Sequence, residues 1–573
     1  MSHAALSRAV QAAALVVAVA LACCPAAFAS GGALDPSFGR GGVKVVSVGI
    51  DDNYAQLLAD GTRLLLVGES TATRSSESDV GVARLLANGA LDTTYSGDGR
   101  LVFSVDPGVD LARDAVLQPD GKLLVAGTSG TTGRTMLARR NTNGSPDTAF
   151  GGGDGGVVAD LVAQAYESIH GIALLADGRI IVAGYVEDDS GNGRGSVLVA
   201  RFLADGSLDT SFAVGGVLRF NRSATSVDLV FDIAVLPSGK LLLAGSSADD
   251  RRSGTTRFLA VRLLPSGATD PTFGLGNGAV SHLAAQGDGL VTPAIALNPL
   301  LATFVLAATV DVPGMSSFTT LRLNADGSTD PTFVRRSDPG NSGLPRTAHL
   351  FDDGSVVAAT SNDSRGEFDL AVQRVLASGR ADTCFDRGGV ALVDGLPGRG
   401  LDFDFGSSLL VAADGSLYVA GSTLGSAFSD FVVARLRGAN APGTCTRVNL
   451  APRLRSRPGN PRLRHCGASR RRACAVRRNA VQAIQVDLNA AAALGVDAPI
   501  MLHLLRKTPA ENFELRRTAR LTTHVSTGTA SARAVHALRA GTLARGLWQV
   551  RASRAATGDA QRGAGRTLWL RVS

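Results

Sequence analysis

The stretch LDPSFGRGGV, residues Leu34–Val43, decides the fold because the chain repeats it. Near-copies are LDTTYSGDGRL from Leu91, PDTAFGGGDGGVV from Pro146 and LDTSFAVGGVL from Leu208. The aspartate recurs at Asp35, Asp92, Asp147, Asp209, Asp270, Asp330 and Asp382, with gaps of 57, 55, 62, 61, 60 and 52 residues. Three residues after it there is always an aromatic: Phe38, Tyr95, Phe150, Phe212, Phe273, Phe333 or Phe385. The next residue after each Asp is Pro or Thr. Such a pair favours a turn whose carboxylate accepts a backbone N–H two residues on. The aromatic is then expected to pack inward between neighbouring units.

A second motif is a hairpin, as in AVLQPDGKLLVAG (residues 115–127), where two apolar runs flank a turn. Equivalents centre on Gly61, Gly121, Gly178, Gly239, Gly354 and Gly415, and a seventh, near Asn298, has lost its glycine. A third motif, ARL or a variant, carries Arg84, Arg139, Arg201, Arg262, Arg322, Arg374 and Arg435. Each unit thus reads as four strands: into the DG turn, out of it, through the Arg, and after the aromatic. Four short strands repeated seven times predict a seven-bladed β-propeller. A linear solenoid is disfavoured, because its coils run to about 20–45 residues.

The repeat also predicts how the ring closes. The chain begins with the last element of a unit, LDPSFGRGGVKVVSV, and its last unit ends at Phe431–Leu436 without that element. In six units the Arg precedes the Asp by eight residues: Arg84 and Asp92, Arg139 and Asp147, Arg201 and Asp209, Arg262 and Asp270, Arg322 and Asp330, Arg374 and Asp382. Gly443 stands where the partner of Arg435 would be, and Asp35 has no Arg upstream. The expectation is a recurring ion pair, with Asp35 pairing Arg435 and the strand at Gly42–Val48 completing the seventh blade.

The order DGKLLVAG, ARL, a DG-type turn and LDxxFG resembles the delta-60 repeat family, over about residues 31–437. The resemblance implies a secreted or surface-associated bacterial propeller. It brings no catalytic residues with it.

Residues 1–29 read as a secretory signal: Arg8, the apolar AVQAAALVVAVALACC, and AFA at Ala27–Ala29. No later run has the length of a membrane span. Cys384, Cys445, Cys466 and Cys474 remain after cleavage, an even number in an oxidising setting. Cys466 and Cys474 flank a Gly-Ala-Ser-Arg turn and suit a hairpin crosslink, and Cys384 with Cys445 follows by elimination.

Charge is uneven. Residues 30–445 hold 32 basic and 45 acidic residues, and residues 446–573 hold 24 and 5. An Arg/Pro-rich segment, 438–479, reads as a linker and hairpin. Beyond it, 480–573 alternates as VQAIQVDL, IMLHLLRK, FELRRTARLTTHV, LWQVRAS and TLWLRVS, which predicts a small β-sandwich, immunoglobulin-like in outline. Trp548 and Trp569 sit in these strands and read as core. The fold class is therefore all-β, a propeller followed by a sandwich. The arginines read as a solvated face, a surface for the acidic propeller, or a site for an anionic polymer. Nucleic acid is disfavoured for want of interleaved aromatics.

Signatures of catalysis are sparse. H-E-x-x-H, the P-loop pattern and G-x-S-x-G are absent. GGGDGG at 151–156 satisfies G-x-G-x-x-G but lies between strands, so it is no dinucleotide site. Glu187–Gly195, EDDSGNGRG, lacks the order of a calcium loop. His170, His282 and His349 are far apart in sequence and read as structural or exposed. No cofactor, metal or catalytic residue is assigned. The leading expectation is a secreted binding or scaffolding module for a protein, glycan or anionic cell-surface polymer. The alternative is a propeller hydrolase or lyase with its site at one mouth of the channel.

Overall fold

The computed structural model describes residues 32–438, apart from short stretches within loops, and the strands within 450–572. The chain divides into two units, Ala29–Gly443 and a second that contains Thr444–Ser573.

The first unit is a seven-bladed β-propeller, each blade a four-stranded antiparallel ladder whose strands run in order from the channel outward. We letter them a to d. Blade 1 consists of Asp51–Asp60, Arg63–Thr71, Asp79–Leu85 and Arg100–Phe103. Blades 2 to 5 repeat this over Asp110–Ala159, Ala165–Phe220, Val227–Gln286 and Leu290–Pro339. In blade 6 strand a is split into Asn341–Ser342 and Ala348–Leu350, both paired with Val356–Asn362. Blade 7 takes strands a to c from Phe403–Val411, Leu417–Leu424 and Ser429–Leu436. Its strand d is Val43–Val46, antiparallel to Phe431–Ala434.

Burial follows this order. Strands b and c are covered on both faces, and Leu123–Ser129 of blade 2 is buried throughout. Their near-continuous apolar runs reflect that double cover. Strand d of blade 1 is only half-buried. Apolar clusters fill the gaps between blades. Phe38, Leu57, Leu66, Leu85, Tyr418 and Phe431 join blade 7 to blade 1 just as Leu124, Phe150, Ile172 and Val182 join blade 2 to blade 3.

The glycine of LLVAG shapes the channel wall. A Cβ on Gly127 would lie 1.8 Å from Leu111 O, on Gly184 1.9 Å from Ser168 O, and on Gly245 1.8 Å from Leu229 O. Each of these glycines faces a β-bulge in strand a, where the bent inner strand crowds strand b. Blade 5 has Ala308 at this place, and its inner strand pairs without interruption. The fifth unit therefore departs from the repeat at its bulge as well as at its turn.

In the second unit two sheets are present: Leu450–Ser456, Val481–Asn489, Ser531–Ala537 and His524–Val525 in one, and Cys474–Val476, Leu568–Val572, Gly546–Arg554, Ile500–Lys507 and Phe513–Leu521 in the other. Leu450–Ser456 and Cys474–Val476 fall within the segment read as linker and hairpin. Trp548 and Trp569 lie on paired strands of the second sheet. Cys384, Cys445 and Cys466, the side chain of Cys474, the signal segment and residues 189–194 of the EDDSGNGRG stretch lie outside the described residues.

Candidate functional site

The repeat residues are spent on architecture. Asp Oδ2 lies 2.9 Å from Arg Nε in Arg84–Asp92, 2.6 Å in Arg139–Asp147, 2.7 Å in Arg201–Asp209, 2.6 Å in Arg262–Asp270 and 2.8 Å in Arg322–Asp330. The distance is 3.5 Å in Arg374–Asp382 and 3.4 Å in Arg435–Asp35. The other carboxylate oxygen caps the turn. Asp209 Oδ1 accepts from the Ser211 N–H at 3.1 Å and from its hydroxyl at 2.6 Å. With the Ser211 hydroxyl leading and Arg201 contributing, Asp209 is held down at about 2.

The guanidinium also reaches the following blade. Arg84 Nη1 donates to Thr142 O at 2.6 Å and Arg201 Nη1 to Pro265 O at 2.7 Å, while Arg139 and Arg262 reach Ala204 O and Ala325 O. Each acceptor lies three residues after the next repeat Arg. The same guanidinium covers its own aromatic, as Arg139 does Phe150 at 4.5 Å from the centroid. One side chain thus ties its turn, its aromatic and its neighbour.

At the seam the same bonds form between distant parts of the chain. In blade 1, Gly89 N–H donates to Leu86 O at 2.9 Å and Leu86 N–H to Ala90 O at 2.8 Å. In blade 7, Gly32 N–H donates to Arg437 O at 3.0 Å and Arg437 N–H to Ala33 O at 2.8 Å. Gly32 has φ +90°, Gly89 +84°, a conformation that glycine adopts at no steric cost. Leu34 bridges Leu436 as Leu91 bridges Leu85. Gly39 N–H then donates to Asn88 O of blade 1 at 2.8 Å.

Non-repeating chemistry gathers at the waist of the channel. The bulges of blades 2, 3, 4 and 7 fall at Arg113, His170, Phe231 and Ser407. The residue after each bulge reaches the next inner strand. Asp114 Oδ2 accepts from Ile172 N–H at 2.8 Å, Asp232 Oδ2 from Ile295 N–H at 2.6 Å, and Ser408 Oγ from Leu57 N–H at 3.0 Å. In blade 3 this place is Gly171, where a Cβ would stand 2.9 Å from Ile233 Cγ2. Arg113, Asp114, His170, Phe231 and Asp232 keep partial exposure between fully buried neighbours such as Ala112, Ala115 and Ile169.

His170, Tyr185 and Phe231 form an aromatic wall. His170 stacks on Tyr185 at 5.4 Å and meets the Phe231 ring edge-on at 5.1 Å. His170 Nε2 is 2.9 Å from Ser168 Oγ. Arg113 Nη1 lies 2.9 Å from Glu69 Oε1. Burial, with Arg346 and Arg113 adding to it, holds His170 well below its usual value, so the ring is neutral. Burial pushes Asp114 up to about 6 and Asp232 up to about 8, the latter helped by Asp114. Reading repeats missed these residues because they occupy a position at which blades differ. A signal was present in DLARD and DLVFD, where Asp110 and Asp228 precede Asp114 and Asp232 by four. Asp110 and Asp228 are fully buried and take the N–H groups of Val105 and Arg222 in the crossings between blades.

His282 lies in strand d of blade 4 and His349 in strand a of blade 6, apart from this cluster. Among the described residues no group of three or more His, Cys, Asp or Glu could hold a metal ion, and no helix is long and apolar enough to cross a membrane.

Residues 58–95, 118–150, 175–212, 236–273 and 309–333 match a family model described as "Domain of unknown function (DUF5122) beta-propeller". The chain carries propeller repeats. Each matched stretch of the propeller ends on the aromatic of LDxxF, from Tyr95 to Phe333. No curated protein matches the chain. Among solved structures, a fungal alcohol oxidase in complex with copper is similar at 12% identity, covering 94% of this chain and 100% of its own, with a TM-score of 0.35. A protein of unknown function from Dyadobacter fermentans shares 10% identity over 69% of this chain and 99% of its own, TM-score 0.35. An arabinanase from Bacillus subtilis shares 12% over 56% and 92%, TM-score 0.27.

Proposed function

We propose that the chain is a secreted bacterial binding module whose ring, closed by its own N-terminal strand, captures a ligand at the waist of the channel. One observation carries this reading. The repeating residues are consumed in turns and blade contacts, whereas the residues that differ from blade to blade converge on Arg113, His170, Tyr185 and Phe231 at one accessible level. A polar, aromatic-walled cleft on a rigid frame suits recognition of a small molecule or sugar.

In this reading residues 1–29 are the secretion signal and 30–437 the propeller. Residues 480–573 form an immunoglobulin-like sandwich, Cys466 pairs with Cys474 across the hairpin of the preceding segment, and Cys384 pairs with Cys445. The strongly basic C-terminal unit then holds the protein on an anionic cell-surface polymer, in a salt-sensitive manner.

The test is a glycan and small-molecule array probed with the mature chain and with Phe231→Ala. Capture that is lost in Phe231→Ala supports the channel. Capture that survives Phe231→Ala, or that needs only residues 444–573, overturns it, and turnover of a captured compound would make the protein an enzyme.

A further inference from the structure

Two arginines approach the waist from different sides of the ring. Arg113 belongs to blade 2, and Arg346 stands in the break of the inner strand of blade 6. Arg346 Nη1 donates to the carbonyl of Arg113, so its side chain crosses the channel. Its own N–H is fixed on Ser407 O of blade 7 at 2.7 Å. The charges of both arginines act on His170, which places them beside the wall of His170, Tyr185 and Phe231. The waist therefore combines two planar cations, the Glu69 carboxylate that pairs with Arg113, a neutral imidazole and the faces of aromatic rings.

We propose that this waist binds the carboxylate of an acidic sugar, a uronate, with the Arg346 and Arg113 guanidiniums on the carboxylate and the aromatic wall against the sugar ring. This rests on the channel-binding reading above. A guanidinium offers a carboxylate two parallel N–H donors, and the bond gains strength away from bulk water. A pyranose presents C–H groups to an aromatic face and hydroxyls to neutral donors and acceptors. A neutral sugar would desolvate Arg346 and the Arg113–Glu69 pair without adding an anion.

The site also has a way to accept the added negative charge. Asp114 lies beside Arg346, Gln56 of blade 1 and Asp232 of blade 4, with Arg113 next to it on its own strand, while Glu69 of blade 1 and His170 of blade 3 share the two arginines. Burial already pushes Asp114 up to about 6 and raises Glu69. An arriving carboxylate opposes ionisation of both, so binding takes up a proton and tightens as pH falls from 8 to 6.

The experiment is calorimetry on the mature full-length chain with galacturonate and with galactose as probes. Galacturonate is expected to bind at least about tenfold more tightly than galactose, since a charged hydrogen-bonded pair contributes about that much or more. Arg346→Met is expected to weaken galacturonate about 10- to 100-fold, so that its advantage over galactose is lost. Arg346→Lys, which keeps the charge and loses the fork, should fall between the two. Each variant is compared at equal melting temperature, and Phe231→Leu serves as the second variant if Arg346→Met unfolds. No binding of galacturonate, equal binding of both sugars, or indifference to both Arg346→Met and Phe231→Leu overturns the proposal. The array with Phe231→Ala then reports separately whether the channel holds some other ligand.

Discussion

Asp35 Oδ2 lies 3.4 Å from Arg435 Nε, so the first and last repeat elements of the propeller meet in one ion pair. It is the most open pair of the seven: its side chains are 18% and 19% exposed, against 4% and 8% for Arg201 and Asp209. Arg435 is also shared with Asp414 at 2.7 Å.

That difference sets the first expectation. Asp209→Asn leaves a buried guanidinium without its anion and should cost about 3–5 kcal/mol. Asp35→Asn, partly solvated and backed by Asp414, should cost about 0–1 kcal/mol. Denaturant unfolding of both variants decides it. Equal losses would mean that the seam is as closed to water as the interior pairs.

Gly127→Ala should be among the more damaging single-methyl changes. The new Cβ would fall 1.8 Å from Leu111 O, in backbone that the bulge at Arg113 has already bent. A cost of about 2–4 kcal/mol is expected from such overpacking. Gly152→Ala, with nothing within 4 Å but φ +81°, should cost about 1 kcal/mol for the left-handed backbone alone. Thermal or chemical unfolding of the two side by side gives the answer, and a mild Gly127→Ala would remove the steric account of the bulge.

The pH dependence of stability should carry the mark of Asp232. Its carboxyl stays protonated in the fold up to about 8, whereas in the unfolded chain it ionises near 4. A group raised in this way contributes its full stability below the unfolded value and loses it as pH rises towards the folded one. Relative to Asp232→Asn, the native chain should therefore lose at least about 1 kcal/mol between pH 5 and pH 8. Urea midpoints at the two pH values measure this. A difference that is flat or grows with pH would place the ionised carboxylate in the fold.

The architecture was legible because its signals are local and repeated. LDxxF, the DG hairpin and the repeat Arg each encode a turn or a contact within about ten residues, and seven copies average out the noise. The N-terminal element stands out for the same reason, since Gly32-Ala33-Leu34-Asp35 copies Gly89-Ala90-Leu91-Asp92. The channel was not. Arg113, His170 and Phe231 occupy one position in successive blades and share no chemistry, so a comparison of repeats treats them as scatter. The glycine facing them, in VAG, and the paired aspartates of DLARD and DLVFD mark the bulge that turns them inward. The strand Leu450–Ser456 was hidden by Pro452 and two arginines in seven residues, which reads as solvated linker.

The measurement that bears most directly on the account is hydrogen exchange along the seam. If Val43–Val46 is the outer strand of blade 7, its amides paired with Phe431–Ala434 should exchange as slowly as those of Arg100–Phe103, the outer strand of blade 1. Asp35→Asn should speed exchange at Val43–Val46 before it touches blade 1. Exchange of Val43–Val46 at the rate of an unstructured peptide, with Phe431–Ala434 left unprotected on its outer edge, would contradict a ring closed by its own N-terminus.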